Sequence, residues 1–282
     1  MKNRLFKTYL LLIILLLIIN VQFISAQQMD TFVFFNDQGS PHGIGCDKLG
    51  NIFTAMVDKQ NKIISIKKIK PDKSISDYAT IKGDTWPCIA VDANNIVYLS
   101  IGDKICSVSD DGKIAIIAEG LGYAGDIKFD RNENMYVTNY TDTIYIINKK
   151  HEKKVFIVNK LSGLASGIDF DRDYNYLYVI YDKQFLKYQI DSTGSPGKPE
   201  VILSGDFEKA DYVAVDNNGD SWITDWARTG NVYKISSNGK KEVIGSLFGF
   251  CSTICIGKND FNQNKKYFCS GTKKGIILIE WF

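Results

Sequence analysis

Two aspartates frame one short apolar run of this chain. Asp211 precedes residues 212–215, and Asp216 follows them. Carboxylates in such positions can bind a cation, act as a general base or accept hydrogen bonds in a turn. The role of each aspartate therefore depends on where the surrounding strands place it.

The same arrangement recurs along the chain: an apolar strand ends at an anchor residue, a short turn follows, and a second strand begins. The anchors are Asp47, Asp92, Asp130, Asp171, Asp216 and Gly257. Their spacings are 45, 38, 41, 45 and 41 residues, and alternating strand patterns fill the intervals. Repeats of about 40–50 residues with four short strands are typical of β-propeller blades. The sequence predicts an all-β, six-bladed β-propeller, with a β-sandwich or two small β domains as the alternatives.

The two ends of the repeat region complement each other. The last repeat lacks an outer strand, and residues 31–35 form an extra apolar strand before the first repeat. We predict that this strand pairs with the C-terminal strand, completes the last blade and closes the ring, because unpaired sheet edges are a liability. Residues 27–282 would then form a single domain.

Residues 1–26 have the pattern of a secretory signal peptide. Lys2, Arg4 and Lys7 precede an apolar run at 9–19, and Ala26 offers a small residue at a cleavage point before Gln27. An uncleaved membrane anchor is the alternative, although the run is shorter than the ~20 residues that a span requires. We therefore expect a secreted, extracellular protein whose mature chain has no membrane span.

Charge and cysteine content limit the possible partners. Removal of the three basic residues changes the net charge from +2 to −1 (+2 − 3), and no Lys/Arg cluster indicates nucleic-acid binding. We expect a monomer whose partner is a small molecule or an unknown extracellular protein. The six cysteines lie in apolar runs, so at most one or two disulfides are expected, and the sequon at 139–141 is expected on an exposed loop.

The predicted fold separates turn formers from site residues. In a propeller, the residues before the first strand of each blade lie at one mouth of the channel, and the anchor aspartates lie at the other face, where they are interpreted as turn formers. The positions five residues before the anchors are His42, Pro87, Gly125, Ser166, Asp211 and Ser252. The predicted ligand-binding residues are Asp126, Ser166, Trp86, Tyr123, Asn139, Tyr212, Asp225 and Arg228. Few polar groups among aromatic rings are typical of small-ligand pockets.

This layout resembles the senescence marker protein/gluconolactonase/luciferin-regenerating family of six-bladed propellers. Residues 252–260, Ser-Thr-Ile-Cys-Ile-Gly-Lys-Asn-Asp, are similar to the family stretch Thr-Ser-x-x-Phe-Gly-Gly-x-Asn/Asp. Residues 126–130 and 211–216 are similar to its motifs Asp-Gly-Lys-x-Asp and Asp-Gly-x-x-x-Asp.

The resemblance implies one divalent cation, calcium or zinc, at the channel mouth, where it would activate water and polarise a lactone carbonyl. The family's Glu, Asn and Asp ligands correspond to His42, Ser166 and Asp211, and Asp211 would also be the catalytic base. A further substrate-contacting Asn corresponds to Gly125. Among these four positions, Asp211 alone keeps the family's residue type.

Two functions therefore remain at the sequence level. One is a binding protein whose metal-ligand set has been substituted, since one carboxylate, a hydroxyl and an imidazole are poor calcium ligands. The other is a metal-dependent lactonase or ester hydrolase with Asp211 as ligand and base, and with His42 as a ligand that suits zinc better. In the alternative structural interpretations, His42 is a loop residue beside Pro41, and Asp211 forms a turn or an ion pair with Lys209.

Overall fold

The computed structural model describes residues 27–33, 40–109, 111–159, 163–246, 251–257, 266–271 and 275–281. Residues 27–33, 40, 266–271 and 275–281 are described by their backbone only. The predicted signal peptide, residues 1–26, lies outside the described residues. Within the described ranges, no helix has the length and apolar character needed to cross a membrane.

The described strands form six four-stranded antiparallel sheets. Sheet 1 contains β2 (Ser40–Cys46), β3 (Ile52–Asp58), β4 (Ile63–Ile69) and β5 (Ile75–Lys82). Sheet 2 contains β6 (Ile89–Val91), β7 (Val97–Ile101), β8 (Lys104–Val108) and β9 (Ile114–Ala118). Sheet 3 contains β10 (Ile127–Phe129), β11 (Met135–Thr138), β12 (Thr143–Ile147) and β13 (Lys153–Val158).

The second half of the chain repeats the pattern. Sheet 4 contains β14 (Ala165–Phe170), β15 (Tyr176–Tyr181), β16 (Gln184–Ile190) and β17 (Pro196–Ser204). Sheet 5 contains β18 (Ala210–Val215), β19 (Ser221–Asp225), β20 (Asn231–Ile235) and β21 (Lys241–Ser246). Sheet 6 combines β22 (Cys251–Ile256), β23 (Lys266–Gly271) and β24 (Gly275–Trp281) with the N-terminal strand β1 (Gln27–Val33).

The first strands of the repeats form a cycle. Each of β2, β6, β10, β14, β18 and β22 contacts the next, and β22 contacts β2. Buried side chains fill the space between neighbouring sheets: Phe53 and Leu99 pack between sheets 1 and 2, and Ile144 and Ile168 between sheets 3 and 4. The prediction of an all-β propeller is confirmed.

The N-terminal strand pairs with the C-terminal strand, as predicted. Gln27 lies opposite Trp281 and Thr31 lies opposite Ile277 in an antiparallel ladder. The strand begins four residues earlier than the predicted range 31–35 and ends at Val33; residues 34 and 35 lie outside the described residues. Because β1 covers the edge of β24, the two ends of the chain share one sheet.

The anchor aspartates form turns. The Asp47 carboxylate accepts hydrogen bonds from the backbone N–H groups of Leu49 (2.9 Å) and Asn51 (2.8 Å). Asp92, Asp130 and Asp216 accept the same pair of bonds, and Asp171 accepts one from Tyr176. The interpretation of these residues as structural is confirmed.

Three cysteines behave as small core residues. Cys88, Cys106 and Cys251 are buried free thiols. Cysteine is among the most frequently buried residue types and packs as a small hydrophobe. These three positions therefore contribute to packing between strands rather than to cross-links.

Candidate functional site

The inner strands bulge where they reach the channel mouth. Shifts in strand register lie between His42 and Ile44, between Ala165 and Ile168, between Ala210 and Val213, and between Cys251 and Ile254. A bulge inserts extra backbone into one strand and re-aims the side chains there. The bulges contain or adjoin His42, Ser166 and Asp211, which places these side chains at the mouth.

Buried hydroxyl groups on the second strands satisfy the bulged backbone. Thr138 Oγ1 accepts a hydrogen bond from the Asp126 N–H (2.8 Å) and donates one to the Ser166 carbonyl (2.6 Å). Thr224 Oγ1 accepts from the Tyr212 N–H (3.2 Å) and donates to the Ser252 carbonyl (2.9 Å). Each threonine thus links its own sheet to the bulge of the next sheet.

Close backbone approach fixes the position of Asp211. A Cβ at Gly167 would lie 2.5 Å from Tyr212 Cα and 2.7 Å from the Asp211 carbonyl oxygen. Real Cβ atoms essentially never come this close to other atoms, so a side chain at position 167 would force the backbone to move. Only glycine lets β14 approach β18 this closely, so Gly167 determines where the Asp211 side chain begins.

A cavity of about 220 Å³ opens at this mouth. Its lining combines aromatic rings with a few polar groups and comprises His42, Trp86, Tyr123, Tyr140, Leu164, Ser166, Asp182, Lys209, Ala210, Asp211 and Trp226. Five of the predicted site residues are therefore brought together: His42, Trp86, Tyr123, Ser166 and Asp211.

His42 is a buried, neutral ring within an aromatic group. One of its ring nitrogens, Nδ1, lies 3.1 Å from the Pro87 carbonyl oxygen, to which it donates. Its ring centroid lies 5.3 Å from that of Trp86 and 6.2 Å from that of Trp226. The pKa of His42 is lowered to about 4, mainly by burial; the hydrogen bond to Pro87 opposes this change and the charge of Lys59 adds to it. The imidazole is therefore uncharged at neutral pH.

Asp211 carries a carboxyl group without a hydrogen-bond partner among the described residues. Burial raises the pKa of Asp211 to about 8, Lys209 opposes this change, and the carboxylates of Asp126 and Asp225 add to it. A group with this pKa changes its protonation close to neutral pH. The Asp211 carboxyl is free to meet a donor or a positive charge that enters the cavity.

The Ser166 hydroxyl is a second polar group of the cavity without a hydrogen-bond partner among the described residues. Its side chain is buried, with 5% exposure, and no described residue makes a hydrogen bond to its Oγ. Buried hydroxyl groups in native proteins are almost always hydrogen-bonded. An unpartnered hydroxyl in the lining of a cavity is therefore suited to contact a bound molecule.

Two other predicted residues, Tyr212 and Asp126, do not line the cavity. The Tyr212 hydroxyl makes a hydrogen bond with the Tyr140 hydroxyl (2.6 Å) and another with the Cys88 thiol. Because Tyr140 lines the cavity and Tyr212 supports it, Tyr212 acts on the pocket through Tyr140.

Asp126 is buried beside the channel. Its carboxylate accepts hydrogen bonds from the N–H groups of Ile127 (2.9 Å) and Ile168 (3.1 Å), and Lys128 Nζ lies 3.8 Å away. Burial raises the pKa of Asp126 to about 6, while Lys128 lowers it. The carboxylate is already occupied by the backbone of two neighbouring sheets.

The predicted position of Asn139 on an exposed loop is wrong. Asn139 is buried, and its Oδ1 accepts hydrogen bonds from Thr141 N, Thr141 Oγ1 and Thr143 N. These bonds hold the loop in which Tyr140 adopts a φ of 51°. Asn139 therefore positions Tyr140, and its side chain is buried in the folded protein.

Asp225 and Arg228 were predicted to bind the ligand, but they also lie outside the cavity lining. Asp225 is fully buried and accepts hydrogen bonds from Glu208 N (3.1 Å), Lys209 N (2.5 Å) and the Tyr233 hydroxyl (3.1 Å). Arg228 is exposed to solvent. The Asp225 carboxylate fixes the loop that precedes Asp211, which explains why it cannot reach a ligand itself.

Sequence reasoning did not predict Leu164, Lys209 or Ala210 as lining residues. Each lies one or two positions before Ser166 or Asp211. A strand that bulges at Ser166 or Asp211 also presents the residues just before the bulge, so proximity to the repeat position was the available signal.

The residues at the mouth are a poor donor set for a divalent cation. Among the described residues, no three His, Cys, Asp or Glu side chains converge. His42 and Asp211 remain as one imidazole and one carboxyl, and Ser166 adds only a hydroxyl. Such a set lacks the charged or carbonyl oxygens that calcium requires and the third side-chain ligand of a catalytic zinc site. The metal set of Asp211, His42 and Ser166 stays a prediction, and these donors suit neither ion well.

Comparison with known proteins gives the family. The profile of the SMP-30/Gluconolactonase/LRE-like region matches residues 106–263, more than half of the 282 residues. The chain belongs to this family. No curated protein sequence matches the chain significantly.

Solved structures share the family's fold at low identity. A gluconolactonase from Xanthomonas campestris is 13% identical with a TM-score of 0.73, covering 91% of this chain and 90% of that one. A luciferin-regenerating enzyme is 14% identical with a TM-score of 0.71 (91% and 96% coverage). A virginiamycin B lyase from Staphylococcus aureus is 14% identical with a TM-score of 0.63 (91% and 100% coverage). Since one fold carries several chemistries, function must be argued from the site.

One departure from the family's expected residues has a physical explanation. The position that corresponds to a substrate-contacting Asn is Gly125, where a Cβ would lie 2.5 Å from Thr138 Oγ1 and 3.0 Å from the Tyr140 ring. A side chain there is incompatible with the present positions of both neighbours. Tyr140 therefore occupies space that a side chain at position 125 would need.

The hydroxyl links between sheets can be tested with Thr138→Val. The change keeps the shape of the side chain but leaves the Asp126 N–H and the Ser166 carbonyl without their partner. We expect a loss of about 2–4 kcal/mol in the free energy of unfolding, since each buried unsatisfied group costs about 1–3 kcal/mol. Urea denaturation measures this loss. Thr80→Val, at an exposed position of β5, is the control, and equal effects of the two changes would contradict the role of Thr138.

The burial of neutral His42 predicts a pH effect on stability. Its pKa falls from 6.5 to about 4 on folding, so the unfolded chain binds the proton more tightly. Stability should therefore be lost as the pH falls between these values, by roughly 3 kcal/mol. We expect His42→Phe, which cannot titrate, to lose roughly 3 kcal/mol less than the unmodified protein between about pH 7 and pH 4. Parallel stability curves for the two proteins would disprove this account.

Proposed function

We propose that this protein is a six-bladed propeller that binds a small polar molecule in the cavity at the channel mouth. The observation that carries the proposal is the unpartnered Ser166 hydroxyl in a cavity that also contains the Asp211 carboxyl, to which no described residue donates a hydrogen bond. Aromatic rings from separate sheets surround them. An apolar cavity with a few convergent polar groups has the character of a ligand site.

The size of the cavity restricts the ligand. At about 220 Å³ it lies below the range of roughly 300–1,000 Å³ that is common for drug-sized ligands. A molecule of the size of a monosaccharide, a lactone or a small amine fits this description. Such a ligand can hydrogen-bond to Asp211 and Ser166 while its carbon atoms contact Trp86 and Trp226.

A lactone or ester hydrolase is the second candidate. Family membership and the position of Asp211 in the cavity favour it. A carboxyl with a pKa of about 8 can accept a proton from water once it is ionised, so turnover would increase as the pH rises through about 8. The binding function requires only the groups already described and is therefore preferred.

A panel of small sugars, aldonolactones and amines tests the binding function. We expect at least one compound to raise the melting temperature of the purified protein, with about 2.7 kcal/mol of stabilisation at 100 times its Kd. Asp211→Asn and Ser166→Ala should each weaken that binding by about tenfold or more, because each removes a ligand hydrogen bond. Calorimetry measures the affinities.

Two surface variants serve as matched controls for this panel. Asp206→Asn and Ser237→Ala change the same residue types at exposed positions outside the cavity lining and should bind normally. The same lactones, with and without added calcium or zinc, are assayed for ring opening. Turnover that depends on Asp211 would replace the binding function with hydrolysis, and a panel without any binding or turnover would refute both.

We also propose that the protein is secreted after cleavage before Gln27. Gln27 opens β1 and pairs with Trp281, so cleavage after Ala26 leaves the strand of the closing sheet complete. Expression of the full chain in a secreting host should release protein into the medium, and its N-terminal sequence should begin at Gln27. A chain expressed from Gln27 onward, without residues 1–26, should stay in the cell. Retention of the uncleaved chain in the membrane fraction would instead support an anchor.

A further inference from the structure

The cavity presents aromatic rings from two directions. In one group the His42 ring contacts both Trp86 and Trp226, with ring centroids 5.3 Å and 6.2 Å away. On another side Tyr123 and Tyr140 meet edge to face at 5.6 Å. The faces of Trp and Tyr rings carry partial negative charge and attract organic cations.

The charged groups of the lining also favour a cationic ligand. Asp182 and Asp211 contribute two carboxyl groups and Lys209 one ammonium group, while the buried His42 is neutral. With both carboxyl groups ionised, the lining has a formal charge of −1 (+1 − 2), and with Asp211 protonated it has none (+1 − 1). Asp211 has no hydrogen-bond partner among the described residues, and a carboxylate left unpaired in a partly buried, ring-lined site is costly.

A metal ion is a poor binding partner for the Asp211 carboxylate. The described residues contain no group of three His, Cys, Asp or Glu side chains that could hold a metal ion, and the lining includes five aromatic rings besides Asp182 and Asp211. Divalent cations require several oxygen or nitrogen ligands at short distance. An organic ammonium group carries its positive charge in a shell of carbon and hydrogen, so it can contact the rings and the carboxylate together.

The molecule already uses one of these rings in this way. Lys59 Nζ lies 4.5 Å from the centroid of the Trp86 ring. Lys59 is exposed and does not line the cavity. The contact indicates that the Trp86 ring accepts an ammonium group in its present surroundings.

From these observations, and resting on the binding function proposed above, we propose that the ligand carries a compact organic ammonium group. That group contacts the rings of Trp226 and Tyr140 and pairs with the Asp211 carboxylate, beside the Trp86 ring that the Lys59 ammonium already contacts. Ser166 Oγ hydrogen-bonds to a polar group elsewhere on the ligand. The aromatic rings thus select an organic cation over a neutral molecule of the same shape.

A pair of isosteric probes tests this ligand class. Choline and tetramethylammonium are compared by calorimetry with 3,3-dimethylbutan-1-ol, which has the shape of choline but no charge. We expect both cations to bind and to quench tryptophan fluorescence, and the neutral alcohol to bind at least about tenfold more weakly. n-Butylammonium extends the test to a primary amine.

Variants then assign the contact. Asp211→Asn and Trp226→Leu should each weaken choline binding by about tenfold, whereas Asp206→Asn, an exposed carboxylate outside the lining, should leave it unchanged. Unaltered melting temperatures of the variants exclude a folding effect. Charge selectivity that survives Trp226→Leu and Asp211→Asn would place the cation elsewhere and overturn the assignment.

The outcomes separate this proposal from the binding function. Equal affinity for choline and its neutral isostere, or no binding of any ammonium probe, overturns the ammonium class. If sugars or lactones still bind in an Asp211-dependent manner, the binding function stands without it. If no compound of the wider panel binds, the binding function itself is refuted.

Discussion

The site depends on how the inner strands leave their sheets at the channel mouth. Each bulge frees backbone groups from the regular ladder, and buried backbone groups must find partners. Thr138 and Thr224 supply these partners and at the same time bond to the carbonyl of the next sheet. One hydroxyl thus satisfies the bulge and fixes the spacing between two neighbouring sheets. The Ser166 carbonyl accepts one of these hydrogen bonds, and Asp211 directly precedes Tyr212, whose N–H donates another.

Glycine provides the complementary constraint. Gly167 lets β14 approach the backbone of Asp211 and Tyr212, and Gly125 leaves space for Thr138 and the Tyr140 ring. The absence of a side chain at 125 is therefore linked to the presence of a ring at 140. In the present positions of Thr138 and Tyr140, the space beside position 125 cannot also hold a side chain there.

The propeller and its turns could be predicted from sequence because their signals are local and repeated. An anchor such as Asp47 bonds to backbone only two and four residues away. His42, Ser166 and Asp211 could be placed because they share one position relative to the anchors. The roles of Asn139 and Asp225 could not be predicted in this way. Their position near the mouth does not indicate which backbone groups their side chains bind. Asp225 bonds to Glu208 and Lys209, a partnership that depends on how a separate loop folds.

The electrostatics of the channel single out Asp211. Asp126 and Asp169 share the ammonium of Lys128, at 3.8 Å and 3.9 Å, and both also accept backbone hydrogen bonds. Asp225 is enclosed by its own donors. Burial is the main cause that raises the pKa of Asp211; Lys209 opposes it, and the charges of Asp126 and Asp225 raise the pKa further. A positive group that enters the cavity therefore offsets both the cost of ionising the buried Asp211 carboxyl and the repulsion from the neighbouring carboxylates. A neutral ligand of the same shape can offer a hydrogen bond but cannot remove that repulsion.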